Sequence, residues 1–159
     1  MLSDSVRQGL FFGLHSGVIT TAGLLFGIVQ GNISVKYLVI SVLSLAIADG
    51  SSEGYGMYLS KKAEKKDDKG LGPMYAGVSL GIIKFITVLS FLLPLLIKKD
   101  VKIFKNPYWI YGWGLLLLFI INYTISNLRN ESFMNHFIPH ILVLFLVTQI
   151  TKFFGEMIA

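Results

Sequence analysis

Two carboxylates and a thioether recur every fourth residue in the segment Ser44-Leu-Ala-Ile-Ala-Asp49-Gly-Ser-Ser-Glu53-Gly-Tyr-Gly-Met57-Tyr-Leu-Ser60. A helix turns once in 3.6 residues, so Asp49, Glu53 and Met57 stack on one of its faces. The segment begins as apolar as a membrane span, and charge at membrane depth is costly. Such groups usually face a bundle interior or a wet cavity and mark an ion or proton path. Carboxylate oxygen suits hard cations, whereas a softer divalent ion such as Fe²⁺ also accepts thioether or imidazole, so the stripe suits a transition metal. A plainer use is open to the same residues: carboxylates solvated near the helix end or paired with lysine, and Met57 as packing filler.

Lys84 also lies deep in an apolar block. Asp49 or Glu53 is the partner it would need there, and snorkelling of its stem to the interface is the alternative. His136 and His140, four apart, have the spacing of two imidazoles on one metal. Pro139 disturbs that helix start, and two interfacial histidines account for the pair equally simply.

Five apolar blocks must position these groups, at about Gly9–Val29, Tyr37–Leu59, Met74–Ile97, Tyr108–Ile125 and Phe137–Met157. Each approaches the roughly 20 residues that cross about 30 Å of hydrocarbon. With 159 residues, 53% of them hydrophobic, and a mean hydropathy of +0.66, the chain is expected to be an all-α polytopic membrane protein with five transmembrane helices. Residues 1–159 then form a single transmembrane domain with the lipid bilayer as its surroundings. The first block has only Arg7 as a nearby basic residue and no small-x-small cleavage site, so it reads as a retained span.

Glycines at 9, 13 and 17 and at 23 and 27 form two small-xxx-small ridges, and Gly50 and Gly54 form another. These predict close helix packing, within the chain or against a second copy. The net charge of +5 resides in loop lysines, which topology and anionic lipid explain. No basic-aromatic nucleic-acid module is visible. The Lys/Arg residues divide almost evenly between the two faces and favour a cytoplasmic N-terminus only slightly. Tyr108, Trp109, Tyr111 and Trp113 follow a basic connector as an interfacial aromatic belt would. Asn-x-Ser/Thr motifs at Asn32, Asn122 and Asn130 adjoin the spans too closely to argue for glycosylation. There is no cysteine, and no nucleophile elbow, P-loop, H-E-x-x-H or Rossmann glycine pattern, so nothing points to covalent enzyme chemistry.

Two segments resemble the vacuolar iron transporter family, of the yeast calcium-and-iron type. Gly13-Leu-His15-Ser16-Gly17-Val-Ile-Thr20-Thr-Ala-Gly-Leu-Leu-Phe-Gly27 is similar to the family's first span except that Ser16 stands where the family has Asp. Ala48-Asp49-Gly-Ser-Ser52-Glu53-Gly-Tyr-Gly56-Met57-Tyr-Leu-Ser60 is similar to its second span, with the family's Met and Glu exchanged at Glu53 and Met57. The segment from Leu146 to Gly155 resembles its last span more loosely. A short lysine loop replaces the acidic cytoplasmic helices that many members insert between spans two and three.

The resemblance implies five spans, a homodimer, and a pathway along spans one and two that exchanges divalent iron or manganese for protons. Glu53, Asp49 and Met57 would then bind the metal, His15 and Ser16 would supply the facing wall, and Lys84 would serve as ion-pair or proton-coupling partner. Fe²⁺ or Mn²⁺ would be the transported substrate, exported from the cytoplasm, with no resident cofactor. The membrane would be vacuolar or another intracellular one in a eukaryote or virus, and the plasma membrane in a bacterium. The alternative is a non-transporting member, structural or assembling, in which Lys84 neutralises the carboxylates.

Overall fold

A computed structural model describes residues 3–31, 33–64, 70–97 and 102–159. The sequon at Asn32, residues 65–69 of the lysine loop and residues 98–101 of the basic connector lie outside them. The chain is all-α: α1 (Asp4–Ile28), α2 (Val35–Ala63), α3 (Gly72–Ser90), the short α4 (Pro94–Ile97) and α5 (Lys102–Lys105), α6 (Pro107–Arg129) and α7 (Phe133–Ile158). Five of these, α1, α2, α3, α6 and α7, are long and apolar enough to cross a membrane, which makes this a multi-pass membrane protein.

Local chemistry sets the helix ends. Ser3 and Ser34 accept from the backbone N–H groups of Val6 and Tyr37 as N-caps of α1 and α2, and Asn106 caps α6 ahead of Pro107. Asn130 ends α6 in the left-handed region at φ 54°. α3 stops at Ser90, short of the Ile97 that hydropathy suggested. Residues 91–93 tighten into i to i+3 bonds ahead of Pro94, whose missing N–H cannot continue the ladder.

Two tryptophans of α6 secure this break. Trp109 Nε1 donates to the Phe91 carbonyl at 3.4 Å, and Trp113 Nε1 donates to Ser90 Oγ at 2.9 Å. Their indoles stack with centroids 5.5 Å apart. The expected aromatic belt therefore divides: Tyr108 is exposed, while both tryptophans turn inward to clamp α3. α7 runs unbroken through Pro139, so the disturbance expected there is confined to the bond that its missing N–H would have made.

α1 is the central helix, packed on α3 along one side and on α6 and α7 along another, while α2 rests chiefly on α3. The glycine ridges explain this order. Gly9 and Gly13 meet α3 at Ala76 and Leu80, and Gly27 meets the backbone of α7 at Gly155. Both ridges of α1 are thus spent on helices of the same chain.

Candidate functional site

Backbone contact between α2 and α3 builds the site. A Cβ added at Gly50 would lie 3.1 Å from the Gly81 carbonyl oxygen, and one at Gly54 would lie 2.9 Å from that of Gly77. A larger residue at Gly54 would force the backbones apart, and one at Gly50 would have to push the Gly81 carbonyl back by a few tenths of an ångström. The close approach brings Asp49 and Glu53, each one residue before a contact glycine, up to Lys84, three residues beyond Gly81. From α1, Gly17 leaves room for the lysine stem: its added Cβ would lie 3.5 Å from Lys84 Cγ and 3.1 Å from Thr87.

Lys84 is fully buried. Its Nζ lies 2.6 Å from Glu53 Oε1 and 2.9 Å from Asp49 Oδ2, and it donates to Ser16 Oγ at 2.9 Å. The Ser16 hydroxyl in turn donates to the Glu53 carboxylate, with oxygens at 2.9 and 3.0 Å. An ammonium has three N–H donors, and here three acceptors from two helices meet them. Taken as ions, the two carboxylates and one ammonium leave the cluster with one net negative charge. The carboxylate side chains are 30% exposed while the lysine is not, so the cluster opens outward through its acids.

The expected ion pair is therefore present, and both carboxylates share it. Met57 extends the stripe one turn beyond Glu53 and is half-buried, outside the polar contacts of Lys84. His15 turns away from the stripe. Its ring packs on that of His140 of α7 with centroids 3.8 Å apart, and its Nε2 is buried with no hydrogen-bond partner among the described residues. One residue along a helix is about 100° of rotation, which is why His15 and Ser16 meet different neighbours.

His136 and His140 do not converge on a shared ligand position. His136 Nε2 lies 2.6 Å from Glu131 Oε2 at the exposed end of α7, and His140 Nδ1 lies 2.6 Å from Asn122 Oδ1. Asn122 is fully buried in α6 and donates through Nδ2 to the Leu118 carbonyl. That bond fixes its Oδ1 as the acceptor, so His140 Nδ1 carries the proton. The burial also removes Asn122 as a glycosylation site. In the sequence Asn122 reads as a sequon; its place as a lone amide in an apolar block is the sign of a buried partner.

Among the described residues, no three His, Cys, Asp or Glu side chains come together as a cage for a metal ion. The groups around Lys84 that could ligate a metal are two carboxylates and one hydroxyl, with the Met57 thioether one turn away. Comparison with protein-family models, with curated proteins and with solved structures finds no match for this chain.

Proposed function

We propose that this protein carries divalent transition metal, Fe²⁺ or Mn²⁺, across its membrane in exchange for protons, with the Lys84 ammonium holding the cargo's place between Asp49 and Glu53. The observation that carries this reading is the fully buried ammonium held by two carboxylates of α2 and a hydroxyl of α1. Ionisable groups at membrane depth are expensive and mark ion and proton pathways. The likeness of α1 and α2 to vacuolar iron transporters supports the same cargo, export from the cytoplasm, a homodimer, and an intracellular or bacterial plasma membrane.

Charge sets the exchange. A divalent ion cannot share the carboxylates with an ammonium, because close like charges in a low-dielectric site repel by several kcal/mol. If Lys84 gives up a proton as the metal arrives, the cluster moves from one net negative charge to neutral. Loss of the metal then requires the proton back.

Uptake into proteoliposomes tests this, with Fe²⁺ and Mn²⁺ each measured with and without an imposed proton gradient. Gradient-dependent uptake by the native chain, abolished by Glu53→Gln, is the expected result. No uptake by a well-folded protein overturns it.

A second reading is favoured by one observation: all three donors of Lys84 are satisfied, as a permanent ion-paired joint between α1, α2 and α3 would require. On that reading the protein is a membrane scaffold, Glu53→Gln lowers yield and stability, and no metal moves.

A further inference from the structure

The contact between α2 and α3 has two flanks. Asp49 and Glu53 lie about 100° of helix rotation to one side of Gly50 and Gly54, and Ser51 and Tyr55 lie as far to the other. On that second flank the glycines leave an apolar groove of about 750 Å³. Gly50, Gly54, Gly77 and Gly81 floor it, and Ile47 and Val78 stand exposed in its walls. It runs from Ala46 to Tyr58, roughly 18 Å along α2 at 1.5 Å per residue. That is close to one leaflet, half of about 30 Å of hydrocarbon.

The groove is not polar-blind at its outer end. Tyr58 closes it there, and Lys62 Nζ lies 3.3 Å from the Tyr58 hydroxyl and 5.6 Å over its ring. Lys62 is exposed and has no carboxylate partner among the described residues. The Lys62 ammonium therefore puts a positive charge at this end of the groove. α2 and α3 already touch backbone to backbone along the floor. A third helix, about 10–12 Å across, would rest on the rims, whereas one acyl chain is slim enough to lie on the glycines.

We infer that this groove is a binding site for an anionic phospholipid, its acyl chain on the glycine floor and its phosphate at Lys62 and the Tyr58 hydroxyl. The lipid comes from the leaflet on the side where α2 ends and α3 begins. Basic mouths between transmembrane helices attract anionic headgroups, and one lysine near the surface is worth about fivefold in affinity. The inference does not depend on metal transport, since the groove and the Lys84 cluster lie on opposite flanks.

Native mass spectrometry of the delipidated full chain, titrated with phosphatidylglycerol and separately with phosphatidylcholine, tests the site. The native chain is expected to retain phosphatidylglycerol preferentially. Lys62→Gln, on the exposed end of α2 and outside the packed core, should reduce that preference about fivefold and leave phosphatidylcholine binding unchanged. Ser51→Phe, filling the groove from its exposed wall, should reduce retention of both lipids. Equal retention of the two lipids by the native chain overturns the inference. So does native-like binding by Ser51→Phe, or a Ser51→Phe chain whose change is loss of dimer rather than loss of lipid.

Discussion

Lys84→Met isolates the contribution of the ammonium. Methionine keeps the length of the stem along Gly17 and removes the charge. Asp49 Oδ2 and Glu53 Oε1 both lie within 2.9 Å of Nζ, so they are less than about 6 Å from each other. Two carboxylates at that distance repel by about 3 kcal/mol at an effective dielectric constant near 20. Removing one partner of a buried pair costs about 3–5 kcal/mol in soluble proteins, the same range. The single variant should therefore lose about 3–5 kcal/mol of stability, a large share of the total for a chain of this size. Lys84→Met with Asp49→Asn and Glu53→Gln replaces the ionic cluster by a neutral one, so most of that loss should return. Unfolding of the purified protein in detergent, followed by the fluorescence of Trp109 and Trp113, reads both. A Lys84→Met chain as stable as the native protein, or a triple variant no better than the single one, would refute the view that Lys84 is the charged centre of the bundle.

Two further substitutions probe the frame. Gly54→Val places a Cβ 2.9 Å from the Gly77 carbonyl, where only backbone can give, and should destabilise the protein by about 1–3 kcal/mol in the same unfolding measurement. Asn122→Leu leaves the half-buried His140 Nδ1 without its acceptor and should cost about 1–3 kcal/mol; restoration of stability by adding His140→Phe would identify the lost bond as the cause.

The number of long helices and the pairing of Lys84 were legible in the sequence for one reason: the hydrocarbon core leaves few ways to solve either problem. Apolar blocks of about 20 residues must be helices. A deep lysine needs an acid, and Asp49 and Glu53 were the deep acids available. That one ammonium satisfies both was not legible, because it depends on glycines of α2 and α3 meeting at a register no single helix specifies. The same limit applies to Trp109 and Trp113. Their position after a basic loop predicted an interfacial belt, while the tertiary fold spends both indoles on the carbonyl and hydroxyl freed where α3 ends. His15 and Ser16 adjoin in sequence, but about 100° of helix rotation sets them on different neighbours, His140 and Lys84, a separation that periodicity alone makes legible.

In the proposed transporter, the lysine stem decides how an exchange at this site would proceed. A metal could claim Asp49 and Glu53 either by displacing the whole side chain or by taking its proton. Displacement requires an open route, but Lys84 is fully buried with its stem laid against Gly17, beside Thr87 of its own helix. Swinging it out would part α1 from α3, along whose interface Gly9 and Gly13 also sit against backbone. Proton loss needs no such movement: the acids that contact Nζ are each 30% exposed and form the outward wall of the cluster. On the proposed function, arrival of a divalent ion would therefore be matched by departure of one proton through Asp49 or Glu53. In the proposed transporter, metal binding to the purified protein in weakly buffered solution should release about one proton per ion, and Lys84→Met should bind metal with no such release. Metal binding by the native chain without acidification would leave the ammonium in place and rule out its part in the exchange.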